Sequence, residues 1–151
     1  MTTNTDSSES RKAMVIVRGD AKGVAQKVEI GSCHLVADEP EALGGTASGP
    51  TPYDLLLAAL GSCKAMTVGM YARRKAWPLD QITVSLRHSR IHAVDCAECE
   101  TKVGKISRIE CELELTGELT AEQRARLLQI ADMCPVHRTL KGEIDIKTQL
   151  V

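Results

Sequence analysis

Apolar residues along this chain follow two rhythms, and each change of rhythm marks an element. A period of two runs through "AMVIVRG" (13–19), which predicts a strand. It continues through "VAQKVEIGSCHLVAD" (24–38), where Val24, Val28 and Ile30 share one parity and Gly31-Ser32 turns the chain into a hairpin. "EPEALGGTASGPTP" (39–52) breaks the pattern with Gly and Pro and is predicted to be loop. The period of two returns in "DQITVSLRHSRIHA" (80–93), where Ile82, Val84 and Leu86 alternate with Thr83, Ser85 and Arg87. It recurs in "KISRIECELELTG" (105–117), with Ile109, Cys111, Leu113 and Leu115 on one face, and in the closing "EIDIKTQLV" (143–151). "TAEQRARLLQIADM" (120–133) has helical spacing and opens with a Thr120/Gln123 capping box. Three strands, a long helix, two strands, a helix and a last strand predict an α+β fold without an internal repeat.

The long helix is the strongest of these signals. Thr51 can cap it, Pro52 suits its first position, and Asp54 stands where a shortened capping box needs an acid. Nothing breaks it until Trp77-Pro78, and Arg73, Arg74 and Lys75 suit its carboxyl end. Its length is about 37 Å at 1.5 Å per residue. Leu56, Ala59, Leu60, Met66, Thr67 and Met70 share the face of Cys63, while Ala58, Gly61, Ala65, Val68 and Ala72 line the other side. A helix apolar or small nearly all round is expected to be buried. Gly61 and Gly69 each cost about 1 kcal/mol relative to Ala, so a second backbone, a helix of another subunit, is expected against them. Asp54 and Lys64 interrupt the apolar run, and no membrane span is expected.

Composition narrows the function classes. The 151 residues carry a net charge of −1, which offers nucleic acid or a membrane surface no electrostatic purchase. Phe is absent, Trp occurs once and Tyr twice, so a base-stacking platform is not expected. "MTTNTDSSESRK" is too polar to order itself, which predicts a disordered tail at 1–12 ahead of a single domain at 13–151. It also lacks the pattern of a secretory signal, so the expected location is cytoplasmic. Six cysteines in that compartment read as reduced, metal-bound or catalytic.

Position separates the six. Cys63, in "LAALGSCKAM" (57–66), taken alone reads as small apolar filler. Cys134, in "MCPVHR" (133–138), precedes a Pro at the start of a helix, where free N–H groups and the dipole lower a thiol pKa, and His137 and Arg138 lie within one turn. In "HSRIHAVDCAEC" (88–99), Cys96 and Cys99 have the spacing of half a zinc site or of a redox dithiol. His88 and His92 stand about 13 Å apart on a straight strand, so only one of them, His92 in the tighter arrangement, could join the two sulfurs. Cys111 is expected in the core and Cys33, beside a turn, has no assigned role.

"GPTPYDLLLAALGSC" and "CPVHRTLKGEIDI" together resemble the OsmC/Ohr family of small thiol-dependent peroxide reductases, over about residue 14 to the carboxyl terminus. The resemblance implies an intertwined homodimer with antiparallel sheets wrapped around long central buried helices. It implies that Cys63 attacks an organic hydroperoxide and that Cys134 resolves the product as a disulfide, which a dithiol or thioredoxin-like reductant reopens. No metal or organic cofactor is then required. Two family features are missing: Tyr53 occupies the position of a thiolate-supporting Glu, and the loop "DEPEALGGTASG" has no Arg. His137 is the expected substitute, with Arg138 and Asp54 as further supporting residues. Lys64, directly after Cys63, is expected to point away from its face. The same fold without the family pair would also suit a redox sensor or apolar-ligand binder that does not turn over, and a metal-binding protein centred on Cys96 and Cys99 is the third reading.

Overall fold

The computed structural model describes residues 15–151, so the tail expected at 1–12 lies outside the described residues. The elements in chain order are β1 (Val15–Arg18), β2 (Gln26–Ile30), β3 (Cys33–Ala37), α1 (Pro52–Arg74), β4 (Ile82–His92), β5 (Lys105–Leu115), α2 (Ala121–Asp132) and α3 (Pro135–Lys141). They form two compact units, one ending at Pro52 and one beginning at Tyr53.

The first unit is an antiparallel sheet in the order β1-β2-β3, with Ile30 opposite Cys33 at the predicted turn. Of the parity set Val24, Val28 and Ile30, only Val28 is buried. Arg18 on β1 pairs with Glu29 on β2. The following loop is not loose. The buried carboxylate of Asp38 accepts hydrogen bonds from the backbone N–H groups of Glu39, Thr46 and Ser48 and from both hydroxyls, Thr46 Oγ1 and Ser48 Oγ, at 2.7–3.0 Å. Those donors, the Ser48 N–H first, hold the Asp38 pKa far below the usual carboxylate range.

In the second unit, α1 lies across the antiparallel hairpin β4-β5, in which Leu86 faces Cys111 and His88 faces Ile109. Within the chain, close approach of a strand side chain explains Gly61, while Gly69 has room for a Cβ at ordinary contact distance. A Cβ on Gly61 would come within 2.7 Å of Leu86 Cδ1, and one on Gly69 within 3.4 Å of Ile82 Cδ1. The helix ends as the sequence suggests but by a definite device: Ala76 turns left-handed (φ 53°), its N–H bonds Arg73 O at 3.1 Å, and the Trp77 N–H reaches back to Ala72 O at 2.9 Å. Val68 and Ala72 of α1 pack with Leu119 and with Leu127, Ile130 and Ala131 of α2, and Tyr71, Trp77 and Leu113 close over them. The Thr120/Gln123 capping box that starts α2 is present in both directions.

Two expectations are corrected. Residues 143–151 form no strand, and Ile144, Ile146 and Leu150 are exposed. Alternation specifies which face a strand would bury but does not supply the neighbour that takes its N–H and C=O groups. Cys111 is exposed rather than in the core, because α1 covers the hairpin at Leu86 and Ile82 and leaves a cleft at Cys111. Within the single chain, α1 buries Leu60, Gly61, Lys64, Val68, Gly69 and Ala72, while Met66 and Met70 are 67% and 55% exposed on the face that the expected partner subunit would cover. The helix is long and apolar enough to cross a membrane, yet its buried face is committed to the hairpin and to α2.

Candidate redox site

Two thiols from distant parts of the chain meet in the second unit. Cys63 comes from the middle of α1 and is half-buried, and Cys134 is fully buried at the junction of α2 and α3. The junction has a local cause. Helix α2 stops at Asp132, and Pro135 restricts the preceding residue to extended backbone, here φ −64° and ψ 146°. Cys134 is therefore the N-cap of α3, and its sulfur accepts the His137 backbone N–H at 3.3 Å. Its thiol lies close enough to Cys63 for Cys63 to influence its titration. Burial pushes the Cys134 pKa up and the neighbouring Cys63 adds to that; the His137 N–H and the charge of Lys64 work in the opposite direction.

Lys64 does not point away from this pair. Its stem turns towards α2, where Nζ donates to Ala131 O at 3.2 Å, to Asp132 Oδ1 at 2.8 Å and to His137 Nδ1 at 3.0 Å, and the residue is only 3% exposed. An ammonium has no lone pair to offer, so His137 Nδ1 must accept, which leaves the imidazole neutral with its proton on Nε2. The competing ion pair, His137 Nδ1 to Asp132 Oδ1, is longer at 3.5 Å. Burial first, and then Lys64, lower the His137 pKa. Thus His137 is at the site, as expected, but the cation beside Cys134 is Lys64. Asp132 was not singled out from the sequence. Its signal is an acid in the last turn of α2, where the helix dipole disfavours one and a nearby cation offsets the cost.

The remaining candidates are placed apart. Asp54 is exposed in the first turn of α1, and Arg138 is exposed on α3, its backbone N–H bonding Cys134 O at 3.1 Å. Tyr53 stacks on His88, with ring centroids 4.3 Å apart and planes within 10°, and the buried His88 Nε2 has no hydrogen-bond partner among the described residues. Cys96 and Cys99 form a disulfide with a Cα separation of 5.4 Å. A disulfide sulfur is not a thiolate ligand. His92 is exposed at the end of β4, and among the described residues no group of three or more His, Cys, Asp or Glu is placed to hold a metal.

Beside the thiol pair a cleft of about 780 Å³ opens between α1, β5, α3 and the loop that carries the disulfide. Leu60 and Lys64 line it from α1, Ile109 and Cys111 from β5, His137 from α3 and Cys99 from the disulfide loop.

The family model for OsmC-like protein matches residues 45–149, which includes both thiols. The chain belongs to the OsmC-like family. Solved structures with this OsmC fold agree. An OsmC-like protein from Mycoplasma pneumoniae superposes with a TM-score of 0.68 at 18% identity, covering 88% of this chain and 89% of that one. The organic hydroperoxide resistance protein OsmC of Legionella pneumophila gives 0.64 at 19%, covering 89% and 93%. The organic hydroperoxide resistance protein OhrB of Bacillus subtilis gives 0.60 at 21%, covering 89% and 94%. A search of curated proteins found no match. The OsmC assignment fixes the α+β architecture with antiparallel sheets.

Proposed function

We propose that this OsmC-like protein reduces organic hydroperoxides, with Cys63 as the attacking sulfur and Cys134 as the resolving one. The observation that carries this reading is the proximity of the two thiols, close enough for Cys63 to raise the Cys134 pKa although they come from elements far apart in sequence. The Cys63 thiolate attacks the outer peroxide oxygen, the O–O bond breaks, and the alkoxide takes a proton and leaves as alcohol. The Cys63 sulfenic acid is then attacked by the Cys134 thiolate; an S–S bond forms and water leaves. Lys64 and the His137 N–H favour that thiolate, against the burial that opposes it. A dithiol or thioredoxin-like reductant returns two electrons and restores both thiols. The apolar surroundings of the pair, Leu60 among them, suit an organic peroxide, and the enzyme would act in the cytoplasm as a homodimer.

A second reading keeps the chemistry and removes the turnover. Cys134 is sealed, its thiol is held protonated by burial, and Tyr53 stacks on His88 where relatives place the supporting Glu. A protein so built would register one oxidation and recycle slowly, as a sensor. Peptide mapping after one equivalent of cumene hydroperoxide tests the cycle. The expected result is a Cys63–Cys134 disulfide in the wild type and a trappable sulfenic acid at Cys63 in Cys134→Ser. Reduced Cys63 in both would end the peroxidase reading. Many turnovers with excess dithiothreitol support the enzyme, and a single one supports the sensor.

A further inference from the structure

We propose that Cys96 and Cys99 are a second redox couple, through which electrons from an external thioredoxin-like protein reach the Cys63–Cys134 disulfide across the cleft. This rests on the thiol cycle proposed above. That cycle has an access problem: Cys134 is fully buried and Cys63 half-buried, and thiol exchange requires the incoming sulfur to reach the sulfur it attacks. A small dithiol can approach Cys63, whereas a folded reductant presents its thiol on a bulky surface. The Cys96–Cys99 disulfide, in contrast, sits on a projecting loop flanked by the exposed Val94 and Val103.

The loop is built to move as a piece. Its neck is closed where the Ala93 N–H bonds Gly104 O at 2.8 Å. Beyond the neck, its hydrogen bonds among the described residues stay inside it: Cys96 N–H to Ala93 O, Cys99 N–H to Cys96 O and Lys102 Nζ to Ala97 O. Only Cys99 of the two lines the cleft, and it shares that lining with Leu60 and Lys64, the residues three before and one after Cys63. Cys99 is therefore the attacking sulfur and Cys96 the resolving one. The competing thiol in the cleft, Cys111, is exposed but partly desolvated by the cleft lining, which pushes its pKa up and lowers its thiolate fraction.

The exchange balances without further reactants. The reductant first opens Cys96–Cys99, becoming a disulfide itself. The Cys99 thiolate attacks the Cys63 sulfur; the Cys63–Cys134 bond breaks, and Cys134 leaves as a thiolate beside Lys64 and takes up a proton. The Cys96 thiolate then attacks Cys99 in the mixed Cys63–Cys99 disulfide, reforming Cys96–Cys99 and releasing Cys63 as a thiolate. Two electrons pass from the dithiol to the buried disulfide.

Two experiments on the full chain test this. In Cys96→Ser/Cys134→Ser, diamide oxidation followed by peptide mapping is expected to give Cys63–Cys99 as the main disulfide. Its absence, or Cys63–Cys111 in its place, overturns the proposal. In Cys96→Ser/Cys99→Ser, turnover of cumene hydroperoxide with thioredoxin is expected to fall at least tenfold while turnover with dithiothreitol is kept. Equal recycling of variant and wild type by thioredoxin, or recycling of neither, overturns it as well. Diamide needs no peroxide, so a Cys63–Cys99 disulfide in a protein whose Cys63 resists cumene hydroperoxide would keep the relay and remove the peroxidase reading.

Discussion

Lys64 is a charged residue on the buried face of an apolar helix, and it is stable there because three acceptors surround its ammonium. Replacing it in Lys64→Met would take one donor from the Ala131 carbonyl, which keeps the Cys134 N–H at 3.4 Å, at a cost of about 1 kcal/mol. The same change removes the charge that lowers the pKa of both His137 and Cys134. The His137 ring is thus expected to titrate at higher pH in Lys64→Met than in the wild type, as read from its NMR shifts. The sign of the wild-type pH dependence follows. A folded-state pKa below the unfolded value of about 6.5 means that the unfolded chain binds the proton first. Stability falls as pH drops from that value through the lower folded one, and above it His137 has no effect. Urea unfolding at pH 7.5 and 5.0 should show this loss, smaller in Lys64→Met. Sequence placed His137 near Cys134 correctly, but helix position describes where a Cβ points and not where a four-carbon stem ends, so the role of Lys64 was hidden.

At the level of elements, the left-handed Ala76 that ends α1 is a local cost. An L-residue in that conformation gives up about 1–2 kcal/mol that glycine does not, and the two hydrogen bonds that close the turn use backbone atoms only. Ala76→Gly is therefore expected to raise the thermal midpoint by roughly 2–4 °C per kcal/mol recovered, measured by calorimetry. No change would mean that the unfolded chain's added freedom cancels the relief. The sequence placed α1, the 24–38 hairpin, the strands of β4 and β5, the capping box and the Cys134 junction, because periodicity and Pro act over a few residues. It misjudged what depends on neighbours: Gly61 of α1 meets a strand side chain, Cys111 faces a cleft, and residues 143–151 have alternation without a strand to pair with. Nor did spacing alone join Cys63 to Cys134; that expectation came from family resemblance.

For the whole molecule, the exposed Met66 and Met70 lie one turn apart on α1, the face that also carries Cys63. Together with the uncovered Ile144, Ile146 and Leu150 they are the apolar surface that the proposed homodimer would bury. Light scattering is expected to give twice the 16.3 kDa of the chain, and Met66→Glu/Met70→Glu to give monomers. A double variant that stays dimeric would place the interface elsewhere. Within each chain, Cys134 holds two positions at once, as a reacting sulfur and as the stopper of a helix. As a thiolate it would attract the His137 amide more strongly than as half of a disulfide, so the first turn of α3 would loosen and tighten with every oxidation and reduction. A covalent event at sulfur thereby acquires a mechanical output, and the backbone around His137 becomes a gauge of the protein's redox history.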